Sequence, residues 1–246
     1  MTRLLSFDVG VTNLAFCLVE FADNKHKIID WGIIDVMESF EDRKIKCSVV
    51  KNGVICNSDA VTYVEVDDKQ LGFCNKKNCQ SIVNSVYSKK QIKKTKKVNT
   101  KTVSLFDIAK SMMKKLNEKP NLIDVNKVVI ENQPVLKNPT MKSIQMILYS
   151  FFIMNGALKD NILKDIVMFN ARGKLDIYDG PKIEMPSNIK KDSYKDRKYR
   201  SIEYTKHFLR DENTWLEFFN KHKKKDDLAD AYLQCLTYYK KNYKNA

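Results

Sequence analysis

Three acidic positions in this chain have residue types and spacings suited to metal chemistry: Asp8, Glu131 and the run Asp226-Asp227-Leu228-Ala229-Asp230. Hard divalent cations such as Mg2+ prefer oxygen ligands and are often held by few carboxylates plus a substrate phosphate. Two such ions roughly 4 Å apart can activate a water and stabilise the leaving oxygen when a phosphodiester is cut. Asp227 and Asp230 are three residues apart, so on a helix they share a face. Asp226 suits the helix N-cap, where its carboxylate accepts an amide hydrogen bond. Asp8, Glu131, Asp227 and Asp230 are therefore the candidate catalytic acids and metal ligands, for Mg2+ or Mn2+, two ions per site.

The elements that must position these acids follow from the apolar pattern. Residues 4–7 read as a first strand that ends at Asp8, and 14–21 and 28–36 complete a meander of two hairpins. Residues 125–131 read as a buried strand closed by Glu131, and 166–169 as another short strand. Helical spacing covers 103–117, 141–155, one or two helices within 199–219, and a last helix from about 227 to 243, apolar at Leu228, Ala231, Tyr232, Cys235 and Leu236. Residues 171–198 read as a basic loop. Strands followed by alternating helices and strands predict an α/β chain, a mixed sheet with helices on its faces. In such sheets functional groups gather at strand carboxyl ends, where Asp8 and Glu131 fall.

The 246 residues are 43% hydrophobic, enough for a real core, and carry a formal net charge of +14, which favours a polyanionic partner such as nucleic acid. No secretory signal or bilayer-length apolar run is legible, so an intracellular, non-secreted protein with reduced cysteines and no membrane partner is expected. Residues 40–100 break the pattern and read as an insertion into a single domain. They hold Cys47-x8-Cys56 and Cys74-x4-Cys79, four thiols that could hold one Zn2+, at spacings wider than the usual two to four residues. Cys17 and Cys235 lie on apolar faces and read as packing residues.

Several basic or polar side chains are candidate DNA contacts. Residues 89–101 carry seven lysines and no acid, among them Lys93, Lys94, Lys96 and Lys97, and read as a mobile basic exit from the insertion. Arg172 and Lys174 follow a strand beside the proposed site, and Lys190 and Lys191 open a second basic stretch. Gln133 either orients Glu131 or touches DNA. Helix 141–155 shows Met141, Ile144, Ile147, Leu148, Phe151 and Phe152, an apolar excess that would suit a dimer interface.

These residues resemble a family. Leu-Leu-Ser-Phe-Asp8-Val-Gly10-Val-Thr-Asn13 is similar to the first hairpin of ribonuclease-H-like nucleases. Val-Val-Ile-Glu131-Asn-Gln133 resembles the "IExQ" strand of RuvC-type Holliday junction resolvases, and Asp227-Leu-Ala-Asp230 resembles their final-helix aspartate pair. Asn170-Ala-Arg172-Gly-Lys174-Leu is similar to a basic segment of the poxvirus, iridovirus and large-DNA-virus branch and of fungal mitochondrial relatives. Some large-virus relatives have a similar cysteine-rich insertion. The resemblance spans about 1–36 and 101–243. It implies a ribonuclease-H-like five-stranded sheet and a homodimer that binds four-way DNA junctions in a viral host's cytoplasm. It further implies symmetric nicks with 5′-phosphate and 3′-hydroxyl ends, and Asp8, Glu131, Asp227 and Asp230 as ligands. A flap or RNA–DNA hybrid nuclease and a non-catalytic junction-binding protein are the alternatives. The insertion is the departure from minimal bacterial resolvases.

Overall fold

The computed structural model describes residues 1–23, 25–95, 100–136, 138–159, 162–170 and 173–243, without the side chains of 41–43. In chain order the elements are β1 (Thr2–Asp8), β2 (Leu14–Ala22), β3 (Lys25–Ile34), β4 (Val50–Lys51), β5 (Val54–Ile55), β6 (Thr62–Val66), β7 (Lys69–Phe73), α1 (Lys77–Val86), β8 (Lys93–Lys94), α2 (Leu105–Asn117), β9 (Lys127–Glu131), α3 (Pro139–Phe152), β10 (Asp165–Phe169), α4 (Tyr194–Phe208), α5 (Asn213–Lys221) and α6 (Lys225–Tyr243). The chain divides into two compact units, Met1–Val36 with Ile108–Ala246, and Met37–Asp107.

The larger unit is built on a five-stranded mixed sheet in the order β10-β9-β1-β2-β3. The β1–β2 and β2–β3 pairs are antiparallel, whereas β9 runs parallel to both β1 and β10. This is the α/β arrangement expected from the apolar pattern, a mixed sheet with helices on its faces. Side chains alternate across β1. Leu4 packs in the cluster under α6, with Ala15, Cys17, Val19, Val129, Leu228, Tyr232 and Cys235. Phe7, of the opposite parity, lies 5.5 Å ring to ring from Phe152 of α3. Parity therefore puts Asp8 on the α6 face with Leu4 and Ser6, and Glu131 on that face with Val129. The parallel register pairs Phe7 with Ile130, so Asp8 and Glu131 come one step later, side by side at the strand ends.

Five hydrogen bonds from three side chains hold α6 in place. The Trp31 indole N–H donates to the Leu228 carbonyl at 3.1 Å. The Gln234 amide donates to Ser6 Oγ, the Phe7 carbonyl and the Val129 carbonyl at 2.9, 3.1 and 3.2 Å. Thr237 Oγ1 donates to the Lys174 carbonyl at 3.1 Å, fixing the loop after β10. After β1 the chain turns tightly. A Cβ on Gly10 would lie 2.4 Å from the Asn13 carbonyl oxygen, so no other residue fits without moving the backbone beside Asp8.

In the smaller unit, β6 pairs with β7 and with β8, and β4 pairs with β5. Both hairpins turn on consecutive left-handed residues, Asn52-Gly53 and Asp67-Asp68, as two-residue hairpin loops require. Its apolar core is small: Val64, Phe73 and Val83 are buried, with a second cluster made of cysteines.

Several expectations change. Lys93 and Lys94 form β8 against β6 rather than a mobile exit, and Lys93 pairs with Glu65 at 2.5 Å. The basic loop ends early because Ser193 caps α4 by accepting from the Asp196 amide. Helix α3 begins at Pro139, behind the Asn138 cap, and continues as a π-turn over Ile153–Ala157. Ile144, Leu148, Phe151 and Phe152 face the protomer core, while Met146, Met154 and Leu158 are the exposed apolar residues of this region. Helix α6 starts one residue before Asp226, which is thus within the first turn and not the cap. Among the described residues no helix is long and apolar enough to cross a membrane.

Candidate active site

Asp8, Glu131, Asp227 and Asp230 line one cavity of about 630 Å³, together with Lys174, Leu175, Tyr194, Arg197 and Lys198. Strands β1 and β9 supply the first two acids by register. Helix α6 supplies the other two from one face, and its opposite side is buried at Leu228, Ala229, Ala231 and Tyr232. Gln234, one turn beyond Asp230, bonds the carbonyls of Phe7 and Val129 and so holds Asp230 above the strand ends.

Lys174 is buried at the centre of the acids. Its Nζ lies 2.7 Å from Asp230 Oδ2 and 3.3 Å from Glu131 Oε1. Glu131 also accepts from Gln133 Nε2 at 2.9 Å, and the Gln133 backbone N–H donates to Gln145 Oε1 at 3.0 Å. Burial, then the hydrogen bond and charge of Glu131, push the Asp8 carboxyl well above the usual carboxylate range. Burial works the same way on Glu131, but its bonds to Asp8 and Lys174 prevail and hold it below that range. Burial raises Asp230 against the pull of Lys174, and burial with neighbouring Asp226 raises Asp227. Burial disfavours the Lys174 ammonium, yet Asp230, Asp8 and Glu131 keep it charged beyond the ordinary lysine range. Asp8 is hydrogen-bonded to Glu131, and Glu131 and Asp230 share the Lys174 ammonium, so the cavity gathers carboxylate oxygens around one cation. That is the chemistry a hard divalent cation fits.

The outer wall is basic. Lys198 pairs with Asp226, which it holds below the usual range despite burial, and its Nζ lies 4.8 Å from the centre of the exposed Tyr194 ring. Arg197 and Lys198 were legible only as part of a diluted basic stretch, and Tyr194 carried no signal; the start of α4 brings all three to the cavity. Lys174 was expected to face DNA and instead lies among the acids. Gln133 contacts Glu131. Lys190 and Lys191 are exposed in the loop before α4. Lys93 and Lys94 are exposed in the smaller unit. Arg172, Lys96 and Lys97 lie outside the described residues.

In the smaller unit, Cys47, Cys56, Cys74 and Cys79 converge, with their sulfurs all within 4.8 Å of one another. Cys17 and Cys235 are buried in the larger unit's core, as expected of packing residues.

The fold and an acidic site at its strand ends define an α/β protein with a carboxylate-lined cavity at one end of a mixed five-stranded sheet. Within it, residues 180–242, which contain α4, α5 and the aspartate pair of α6, match the family described as Poxvirus A22 protein, in line with the poxvirus-branch resemblance. The chain is 28% identical, over 94% of its length and 73% of the relative's, to the uncharacterized protein L451 of Acanthamoeba polyphaga mimivirus. It is also similar to the solved yeast mitochondrial Holliday junction resolvase Ydc2, at 15% identity and a TM-score of 0.48, over 99% of this chain and 84% of that one. A fowlpox virus resolvase solved with substrate Holliday junction DNA gives 14% identity and a TM-score of 0.47, over 98% and 99% of the two chains.

Proposed function

We propose that this chain is a metal-dependent endonuclease that resolves four-way DNA junctions as a homodimer. The observation that carries the reading is the convergence of Asp8, Glu131, Asp227 and Asp230 on one basic-walled cavity. The match of residues 180–242 to the Poxvirus A22 family supports it. The junction as substrate comes from the motifs shared with RuvC-type resolvases. The four acids would hold two Mg2+ or Mn2+ ions, which when bound would supply Lewis acidity and activate a water.

The chain's own residues do the rest. Gln133 fixes the rotamer of Glu131. Lys174 balances the acids and is within reach of a phosphate oxygen once the strand enters. Tyr194, Arg197 and Lys198 line the wall along which the sugar–phosphate backbone lies, with Lys190 and Lys191 further out on the same segment. Water adds to phosphorus, the bond to the 3′ oxygen breaks, and that oxygen takes the proton, leaving 5′-phosphate and 3′-hydroxyl ends. Met37–Asp107 is an insertion within one nuclease domain, and its thiols call for a softer metal than the acids do.

A gel assay comparing four-way junction, flap and RNA–DNA hybrid with Mg2+ tests the proposal. Paired nicks on opposing strands of the four-way junction are expected. Asp8→Asn, Glu131→Gln and Asp230→Asn should each cut at least ~1,000-fold more slowly and bind the junction normally, since the ions supply several kcal/mol of transition-state stabilisation. Normal cutting by these variants defeats the catalytic assignment. Preferred cutting of flap or hybrid changes the substrate, and tight binding without any metal-dependent nicking favours an architectural role.

A further inference from the structure

We propose that Cys47, Cys56, Cys74 and Cys79 hold one structural Zn2+ in a closed tetrahedral site that organises Met37–Asp107. Nothing in the nuclease chemistry requires this site, and it stands or falls without that reading.

The geometry comes from four separate pieces of chain. Cys47 bridges to Gly72 just before the β4–β5 hairpin, and Cys56 follows that hairpin. Cys74 follows β7, and Cys79 sits in the first turn of α1. The approach is close, because a Cβ on Gly72 would lie 2.3 Å from the Lys46 carbonyl oxygen. With Zn–S bonds of about 2.3 Å, a tetrahedron of sulfurs has edges of about 3.8 Å. Cys56 Sγ and Cys74 Sγ are 3.8 Å apart, and no pair of the four exceeds 4.8 Å. Two disulfides need only two close pairs, whereas these sulfurs approach one another as a set of four.

The surroundings favour a thiolate at Cys56, whereas burial pushes the Cys79 thiol up to about 12, so a cation is what would hold it ionised. The Cys56 thiol donates to Ser58 Oγ at 3.5 Å, and Lys76 Nζ donates to the same sulfur at 3.6 Å. Four thiolates around Zn2+ leave a double negative charge, and Lys76 offsets part of it. Cys47, Cys74 and Cys79 are buried, and Cys56 alone is half-exposed. All four ligand positions are filled by protein, so the site has no open position for a substrate, the mark of a structural zinc.

The smaller unit also needs such a staple. A segment of this size has only a marginal core, to which a metal staple adds. Here Val64, Phe73 and Val83 form the one buried apolar cluster among the described residues, and the other is the cysteines. Metal binding then becomes folding free energy for Met37–Asp107.

The test uses the full chain purified with reductant and without chelator. Elemental analysis is expected to find one zinc per chain, falling at least tenfold in Cys56→Ser and Cys79→Ser and unchanged in Cys235→Ala. Co2+ exchanged into the wild-type protein should give the thiolate charge-transfer and visible bands of a tetrahedral sulfur site, a readout that needs no variant to fold. Lys76→Ala should keep one zinc but release it faster to a competing chelator. Metal-free protein should be cut by protease within 37–107 sooner than elsewhere. Wild-type protein with no zinc and six freely titrating thiols overturns the proposal, as do two disulfides found by mass spectrometry or full zinc in the cysteine variants. Asp8→Asn should retain its zinc whether or not the protein is a nuclease, so failure of either idea leaves the other measurable.

Discussion

At the scale of single residues, Lys174 has the most consequential position. A buried ammonium 2.7 Å from Asp230 and 3.3 Å from Glu131 supplies positive charge where the proposed divalent cations would sit. Removing one partner of a buried ion pair strands the other and costs about 3–5 kcal/mol. Residual exposure of the group brings the expected cost to the lower end, about 3 kcal/mol, and stability lost to charge crowding should return when cations bind. Lys174→Met is therefore expected to melt earlier than wild type without divalent ions and to gain more than wild type from Mg2+. Thermal melts across a Mg2+ series check this; equal Mg2+ gains in both proteins would mean that Lys174 does not share the ions' place.

At the scale of elements, α4 and α6 carry the site. The N-terminal end of α4 is organised by Asp196, which accepts from the Asp192 amide at 2.7 Å and from Arg200 at 2.8 and 2.9 Å. Burial opposes its charge, but the Arg200 hydrogen bonds and the Asp192 amide prevail and lower it. A carboxylate depressed on folding adds stability that is present above its unfolded value of about 3.9 and is lost as pH falls through the folded value. Urea melts between pH 6 and 3, a range set by carboxylate titration at roughly pH 4, should show a shallower acid loss for Asp196→Asn than for wild type. Parallel curves would remove Asp196 from the acid transition. On α6, Gln234→Leu leaves Ser6 Oγ and two buried carbonyls without their donor, costing about 1–3 kcal/mol. Because Gln234 sets the height of Asp230 over β1 and β9, the turnover rate should fall while junction affinity stays. A stability loss with unchanged turnover would make Gln234 a packing residue only.

Much at this scale was legible in the sequence, for physical reasons. Strands β1 and β9 are short apolar runs ended by an acid, and α6 repeats apolar residues at Leu228, Ala231, Tyr232, Cys235 and Leu236, so burial and period agree. The start of α4 was not legible, because its signal is a cap and a buried ion pair within a lysine-rich stretch of little apolar period. Tyr194, Arg197 and Lys198 were therefore not placed at the site. Lys174 was read as a DNA contact because a lysine in a basic segment gives no sign of facing inward. Asp226 was read as a cap, and its Lys198 partner could not be foreseen from sequence separation. Core packing was expected to take much of the apolar surface of α3, but which residues face inward was not legible because they nearly encircle the helix.

At the scale of the whole molecule, the proposed activity needs two copies of the site, one for each strand cut. A net charge of +14 favours any DNA at low salt, so affinity alone would not report assembly. The apolar residues that α3 and its π-turn leave outside are better evidence. Met154 is 64% exposed and Leu158 76% exposed, beyond a helix whose other large apolar residues are mostly inside. Burying such side chains across a two-fold interface recovers about 1.5–3 kcal/mol each. Light scattering on the eluting wild-type protein should give twice the 28.7 kDa chain mass. Met154→Glu with Leu158→Glu should shift it to one chain, because four introduced carboxylates would meet across the two-fold axis. The monomer keeps Asp8, Glu131, Asp227 and Asp230 intact, so it should still nick a four-way junction, but on one strand per binding event. Loss of paired cuts with single nicks retained ties resolution to the dimer. A double variant that still dimerises, or a wild-type monomer that makes paired cuts, would place the two-fold contact elsewhere or remove the need for it.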